Sequence, residues 1–428
     1  MVLNEFQNSA DINWYERVPE DWSEKKLKYL VETIKGYAFK SQLFGDKGVP
    51  IIKTTDIKNG KIQDSDIFID ERFEHEYKNV RVKKNDILMS TVGSKVEVTN
   101  SAVGQIGKVQ KKYEGALLNQ NAVILRCKSK DITNNFLFYF LNSHSYRKYL
   151  DLFAHGTANQ ASLSLKDILD FKMPLPSRKI QNQISEFLEH KTSDVETLIG
   201  DKQKLIDLLE EKRQAIITEA VTKGLNPDVK YKNSGVQWIG EVPEHWEITK
   251  LKRCLKVLNG KEIKNEISIE EPIGVDVYGS GGVFKKTDEF LYEGKSVLFG
   301  RKGTIGKPIF VEGRFWAVDT MYFTKFYKGM NSKWFYYMFI VFPWDVYMTQ
   351  TALPSIVGTD IENEIWAVPK VQEQQDIVKY LDTKISDIDK LILEIKQQIE
   401  KLKEYRQSLI YEAVTGKIDV RDYQKVTN

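Results

Sequence analysis

The residues best placed to do chemistry in this chain are cations, amides and hydroxyls on short polar runs. Arg301-Lys302-Gly303-Thr304 follows a hydrophobic run, 296–300, that reads as a strand, so its two long cations are expected to project from a loop. An arginine can take guanine O6 and N7 with two parallel hydrogen bonds, and a lysine can neutralise a phosphate. A plain β-turn with exposed charge is the other reading. Ser90, Thr91, Ser94 and Lys95 hold the corresponding place in the first half of the chain. Lys53, Thr54 and Thr55, and then Asn119, Gln120 and Asn121, offer phosphate-capable groups and adenine-capable amides, with core or turn duty as the alternative. Thr157, Asn159 and Gln160 form a polar loop suited to DNA contact or to capping. The chemistry these types share is binding to nucleic acid.

Constellations for catalysis are incomplete by comparison. An adenine methyltransferase needs an Asn/Asp-Pro-Pro-Tyr/Phe run to hold a flipped base, and Asn226-Pro227-Asp228 lacks the second proline and the aromatic. Gly306-Lys307 tempts as a phosphate loop, but Arg301 stands for its first glycine and Pro308 for its hydroxyl. Gly279-Ser280-Gly281 fails as a dinucleotide fingerprint because Phe284 replaces the last glycine. Asp288 with Glu293-Gly294-Lys295 faintly suggests a nuclease, a pattern that chance supplies often. No G-x-S-x-G elbow is present. His75, His144, His155, His190 and His245 show no metal-ligand spacing, so no metal site is expected.

The elements that must position these loops come twice. Val18-Pro19-Glu20-Asp21-Trp22 returns as Val242-Pro243-Glu244-His245-Trp246, a shift of 224. Arg213-Gln214 and Glu219-Ala220-Val221-Thr222 return as Arg406-Gln407 and Glu412-Ala413-Val414-Thr415, a shift of 193. The first copy is therefore longer in its middle by 31 residues. Each copy ends in a segment that reads as a long helix, 177–222 after Pro176 and 370–415 after Pro369, with glycine beyond each end. Apolar residues recur at Ile184, Leu188, Val195, Leu198, Leu205, Leu209 and Ile216, with polar interruptions at Lys191, Lys202 and Lys212. In the second segment they fall at Ile377, Leu381, Ile388, Leu391, Ile395, Leu402, Tyr405 and Leu409, with Lys384 in the seam. The narrow seam and charged outer faces favour pairing of the two helices with each other over separate burial. At 46 residues, one such helix spans about 70 Å, or roughly 20 base pairs of duplex.

Between the helices lie regions 23–175 and 247–368, rich in strand-like runs at 49–54, 86–91, 122–126, 296–300, 308–311 and 317–324. Helices are expected at 134–152 and 332–348, where Phe136, Phe138, Tyr139 and Phe140, and Trp334, Phe335, Tyr336 and Tyr337, read as core. The two regions rhyme: 86–90 before Gly93 resembles 296–300 before Gly303, and Ser162 with Asp167-Ile168 matches Ser355 with Asp360-Ile361.

Bulk composition sets bounds. The 428 residues suit two to three domains, and 41% hydrophobic with 29% charged content is ordinary for a globular protein. No run approaches a membrane span, and 1–11 lacks an apolar signal core. Cys127 and Cys254 lie in different halves, which fits a reduced, cytoplasmic setting. The net charge of +3 is uneven: 23–175 carries 25 Lys+Arg against 17 Asp+Glu, and 247–368 carries 16 against 15. The first region has the bias of a nucleic-acid binder; the second would need a local basic patch.

A proline-bounded helix after a variable region, twice, each copy opened by Val-Pro-Glu-x-Trp, resembles the specificity (S) subunit of type I DNA restriction–modification systems. Gly156-Thr157 through Leu163-Ser164 before Met173-Pro174-Leu175-Pro176 supports it, as do Tyr278-Gly279-Ser280-Gly281-Gly282 and Gly300–Gly306. The match covers essentially the whole chain. One departure is local: Pro-Pro-Leu before Glu-Gln, frequent in the family, is here Pro176-Ser177-Arg178-Lys179-Ile180-Gln181 and Pro369-Lys370-Val371-Gln372-Glu373-Gln374.

The resemblance implies an α+β fold: two globular mixed α/β target-recognition domains in pseudo-twofold tandem repeat, joined by two long antiparallel coiled-coil helices. The expected division is 1–176 and 225–369 for the recognition domains, and 177–224 and 370–428 for the spacer helices with the tail. It implies two domains that each read one half of an asymmetric bipartite sequence in double-stranded DNA, adding Tyr278 and Ser280 to the candidate contacts. It implies docking of two modification (M) subunits, which bring S-adenosylmethionine and methylate adenine at N6, and of restriction (R) subunits with ATP and Mg. The chain itself would hold no cofactor and no catalysis, and would lie with the nucleoid of a prokaryotic cytoplasm. Two other readings stay open: a coiled-coil scaffold that never touches DNA, and the recognition part of a fused restriction–methylation enzyme.

Overall fold

The repeat is built into the chain's backbone pairing. In the computed structural model, the strand Ser23–Lys26 pairs antiparallel with Lys172–Leu175, setting Ser23 opposite Leu175. Strand Glu247–Lys250 pairs likewise with Ile365–Val368, setting Glu247 opposite Val368. The first partners differ by the 224 shift and the second by the 193 shift, so one ribbon ties the start of each copy to its end. The structure describes Tyr15, 18–73, 75–94, 103–157, 160–349, 354–421 and Tyr423.

The chain forms two compact units, residues 1–201 with 398–428, and residues 202–397. Each contains a six-stranded mixed sheet. In the first the order is Val31–Lys35, Ala122–Cys127, Ile87–Ser90, Ile106–Lys108, Gly60–Ile62, Ile57–Lys58. In the second it is Leu255–Asn259, Met321–Phe326, Tyr292–Gly300, Ile309–Ala317, Val275–Gly279, Gly282–Thr287. The senses agree pair by pair: three antiparallel junctions, one parallel junction, then an edge hairpin. The hairpins differ in chain order. In the first unit its second strand meets the parallel neighbour, and in the second unit its first strand does. The first unit also carries a four-stranded sheet, Leu117–Leu118, Val49–Ile52, Phe68–Ile69 and Phe44–Gly45, over a core of Phe39, Ile51, Ile69, Tyr77, Val80 and Leu117.

The runs expected to be strands are strands, most with shifted ends; 296–300 is the tail of a nine-residue strand. Helix 134–152 breaks into Asn134–Leu141 and His144–Phe153, because Asn142 turns its amide back onto Phe138 O and Ser143 starts a new helix. Helix 332–348 breaks into Ser332–Ile340 and Trp344–Tyr347 around Pro343, which cannot donate to a continuing helix. Phe136, Phe140, Trp334, Phe335 and Tyr337 are buried, while Phe138, Tyr139 and Tyr336 are partly buried against the same clusters.

Two long helices follow the prolines, Arg178–Lys223 and Val371–Val414. In the first unit Glu196 pairs with Arg406 at 3.4 Å, and Gln183 donates to Arg421 O at 3.1 Å, so the segments run antiparallel. In the second unit Arg213 pairs with Asp389 at 3.3 Å, and Ile217 and Val221 share a core with Ile377, Leu381 and Ile385. The seam needs correction at several positions. Ile184, Leu188, Val195, Ile377, Leu381, Ile388, Ile395 and Leu409 are buried as expected. Leu209, Ile216 and Leu402 are half-buried. Leu198, Leu205, Leu391 and Tyr405 are instead 45%, 44%, 42% and 53% exposed. Ile206, Ile385, Ile392 and Ile399 take the seam, with Ile199 half-buried and Lys384 out in solvent. Leu198-Ile199, Leu205-Ile206 and Leu391-Ile392 are adjacent apolar pairs, and alternate steps of three and four from the buried ends select the isoleucine.

Each long helix ends on a glycine with φ +75 (Gly224) or +76 (Gly416). A β-carbon at Gly224 would lie 3.3 Å from the Trp246 ring, and one at Gly416 would lie 3.1 Å from the Trp22 ring. The Val-Pro-Glu-x-Trp motif therefore packs against a helix end in both units. In the second copy Glu373 adds bonds to Trp246 Nε1 at 3.0 Å and His245 Nε2 at 2.9 Å.

Candidate nucleic-acid interface

In the first unit, four of the polar segments converge on one rim through backbone hydrogen bonds. Asn119 N–H donates to Ile52 O at 3.0 Å, just before Lys53. Gln120 N–H donates to Tyr37 O at 2.8 Å, and Thr91 N–H donates to Asn121 O at 2.7 Å. Leu163 N–H donates to Thr91 O at 2.9 Å, and strand Val92–Gly93 pairs with Gln160–Ser162, whose hairpin partner is His155–Thr157. Segments separated by as much as 107 residues, Lys53 to Gln160, thus become neighbours. A β-carbon at Gly36 would lie 1.9 Å from Asn119 O, so only glycine lets the turn before Tyr37 approach this rim.

The side chains on that rim differ in availability. Thr55, Gln120, Asn121, Thr157 and Gln160 are exposed, and Thr54, Thr91, Ser94 and Asn119 are half-buried. The Asn119 amide oxygen accepts Gln120 N–H at 2.8 Å, leaving its nitrogen as the donor. Asn121 holds a left-handed backbone at φ +69, which asparagine tolerates. Lys53 forms an ion pair with Asp66, whose carboxyl it holds below the usual range. Beside it, burial pushes the Asp56 carboxyl up. Lys53 must let go of Asp66 before it can serve a phosphate. Ser90 is a correction: it is fully buried and accepts Gln105 N–H at 3.2 Å, so it is core to the sheet and cannot contact DNA. Lys95 and Asn159 lie outside the described residues.

The second unit brings its own two segments together. The loop after strand Tyr292–Gly300 and the turn after strand Val275–Gly279 abut. A β-carbon at Gly300 would lie 2.1 Å from Thr304 O and 3.5 Å from Ser280 Cβ. Tyr278 is half-buried with its ring against Phe315, and its carbonyl accepts Val318 N–H at 3.1 Å. Arg301 stands over the Tyr322 ring at 5.8 Å, with its backbone fixed by Thr320 O and Ile356 N. Lys302 and Thr304 are exposed, and Ser355 bridges Lys302 in the backbone. Among the described residues no carboxylate pairs with Arg301 or Lys302, so these cations are better placed for an anionic partner than Lys53.

Sequence reasoning missed Tyr37, which is 46% exposed at the centre of the first rim and braced by Phe39 and Tyr77. The signal was there. Gly36 and Gly260 are related by the 224 shift, and a β-carbon at Gly260 would likewise lie 1.9 Å from a crossing carbonyl, that of Val318. Among the described residues no cluster of His, Cys, Asp and Glu could hold a metal, and no helix is long and apolar enough to cross a membrane.

Comparison with known proteins agrees with this geometry. The model of the type I restriction modification DNA specificity domain matches residues 19–206 and again 243–401. The type I restriction enzyme MjaVIII specificity subunit of Methanocaldococcus jannaschii is 27% identical over 447 residues, covering 95% of this chain and 95% of that protein. The type I restriction enzyme EcoKI specificity subunit of Escherichia coli K12 is 22% identical over 440 residues, covering 94% and 90%. A chain solved in work on complex assembly and conformational transition of the type I R-M system superposes with a TM-score of 0.71 at 15% identity, over 94% of this chain and 100% of that one. At that identity the likeness speaks for the fold.

Proposed function

The chain belongs to the family of type I restriction–modification specificity subunits, and we propose that it reads an asymmetric, bipartite DNA sequence on behalf of catalytic partners. The observation that carries this reading is one six-stranded order of strand senses built twice with unlike rims. The first rim offers amides and hydroxyls from four segments. The second offers two cations that have no carboxylate partner among the described residues, beside a glycine turn. Unlike rims read unlike half-sites. Phosphate contacts set position on the duplex and base-edge contacts set sequence.

The two long helices serve as spacer and dock. Leu198, Leu205, Leu208, Leu391, Leu393 and Tyr405 are exposed apolar residues outside the seam. Two methyltransferase subunits, which carry S-adenosylmethionine, cover this surface, and restriction subunits join through them. The chain contributes recognition and no bond-making step.

The test is co-expression with the neighbouring methyltransferase subunit and a genome-wide map of methylated adenine. A two-part motif with a fixed gap is expected. Replacing residues 23–175 with the matching region of a relative changes one half of the motif only. A single contiguous motif, or none, overturns the reading.

A further inference from the structure

We propose that Phe284 is a wedge that enters the base stack of the second half-site, so that this recognition domain reads deformability as well as base edges. The inference rests on the DNA-reading function above.

The edge hairpin of the second sheet is irregular at its tip. Val277 pairs with Lys285, and Tyr278 pairs with Val283, so Phe284 is the extra residue of a bulge. A bulge bends its strand and re-aims one side chain. Here it turns a phenylalanine outward: Phe284 is 46% exposed, and Val283 beside it is 37% exposed. No aromatic ring packs on Phe284 among the described residues. Its ring leans over Gly279, where a β-carbon would lie 3.2 Å from Cε1, and Lys285 Nζ stands 5.9 Å from the ring centroid. About half of this large apolar side chain is left open to solvent beside a glycine-rich turn.

Its place says what covers it. The turn that opens Phe284's strand abuts the cationic loop, since a β-carbon at Gly300 would lie 3.5 Å from Ser280 Cβ. When Arg301 and Lys302 engage a duplex, this tip lies against the same duplex. Nothing lies within 4 Å of where a β-carbon would stand at Gly281, Gly282 or Gly303, so bare backbone surrounds the tip and a phosphate chain can approach closely. Phenylalanine between base pairs unstacks one step and kinks the duplex, most readily at flexible pyrimidine–purine steps. The first unit contains its own control. Its corresponding hairpin, Ile57–Lys58 to Gly60–Ile62, turns through Asn59 at φ +51 and has no aromatic residue at the tip.

The experiment uses the complex with methyltransferase subunits and its mapped duplex, with 2-aminopurine placed in turn at each step of both half-sites. Wild type raises the fluorescence at one step of the second half-site and at none of the first. Phe284→Ala abolishes that rise and weakens binding about tenfold, with the salt dependence unchanged. Phe284→Trp keeps the rise, and both variants melt as wild type does. Wild-type binding without a fluorescence change, or Phe284→Ala binding as wild type, overturns the wedge and leaves the DNA-reading function standing. Failure of Phe284→Ala to assemble with methyltransferase subunits also overturns it, and makes Phe284 a protein contact. Absence of sequence-dependent binding by the wild-type complex defeats the underlying function itself.

Discussion

Gln181 and Gln374, related by the 193 shift, share two bonds in their separate units, one to the start of a small helix and one to the proline before a long helix. Gln181 is fully buried; its Oε1 accepts Thr133 N–H at 2.8 Å, and its Nε2 donates to Pro176 O at 2.9 Å and Asp131 O at 2.7 Å. Gln374 is 1% exposed; its Oε1 accepts Asn331 N–H at 2.8 Å, and its Nε2 donates to Pro369 O at 2.8 Å. Each glutamine thus locks the start of a long helix to the small helix of its recognition domain. Gln181→Leu and Gln374→Leu strand buried backbone groups and should each cost about 2–3 kcal/mol in a denaturant melt. Glutamate in their place gives up the Nε2 donor bonds, two at Gln181 and one at Gln374, and should be no better.

Arg126 holds the buried Asp86 with two parallel bonds, 2.8 Å from Nε and 2.6 Å from Nη2. The carboxylate side chain is 4% exposed, so breaking the pair leaves a charge in the sheet. Arg126→Met should destabilise the chain by about 3–4 kcal/mol, and the double variant Arg126→Met with Asp86→Leu should recover much of that loss. A double-mutant cycle by thermal or denaturant unfolding measures the coupling, and additive losses would refute it.

How much of this was legible in sequence depends on separation along the chain. The helices, the ribbon ends and Gln374's place beside Pro369 follow from local punctuation and the two shifts. The convergence of 53–55, 91–94, 119–121 and the hairpin strands 155–157 and 160–162 does not, because it is made by backbone bonds between distant segments, which leave no spacing to read. Ser90 reads as a candidate contact because a serine at the end of a strand-like run is as well suited to an exposed rim as to a buried strand end. The bulge at Phe284 was also invisible: it is a mismatch of register between two strands, and each strand alone looks regular.

Burial pushes the Cys127 thiol up to about 12 and the Cys254 thiol up to about 11. A thiol whose folded value is raised favours the fold in its neutral form. That contribution is complete below the ordinary value of 9.0 and is lost as pH rises toward the folded values. Stability should therefore fall between about pH 9 and 12, and Cys127→Ala with Cys254→Ala should flatten that part of the profile. At pH 8 the native chain should resist thiol reagents that modify both cysteines in denaturant.

If the chain reads DNA as proposed, Arg301 and Lys302 would separate the two kinds of contact. Lys302→Ala should weaken binding to all duplexes alike and lower the slope of log affinity against log salt by about 1. Arg301→Ala should cost about 1–3 kcal/mol on the cognate duplex and relax the motif at one position of the second half-site. Binding titrations at several salt concentrations, together with the methylation map, tell these apart. Equal effects on cognate and random duplex for both variants would make Arg301 a phosphate contact.

The corrected seam gives the helices one buried apolar face and one exposed apolar face. Ile206 and Ile392 are 2% and 8% exposed, and truncating either to alanine removes buried methyl groups, at a cost of about 2–4 kcal/mol to the chain's own stability. Leu205 and Leu391 stand one residue away and are 44% and 42% exposed, so alanine there should change the melting of the chain by no more than about 0.5 kcal/mol. Exposed leucine with no folding duty is what a partner helix would cover. Leu205→Ala with Leu391→Ala should therefore lower affinity for the methyltransferase subunit in a sedimentation or calorimetric titration while leaving the unfolding curve in place. The isoleucine variants should shift the unfolding curve first. If the leucine variants lose stability instead, the seam runs through them and the register read from burial is wrong; if they lose nothing, the partner docks on another face.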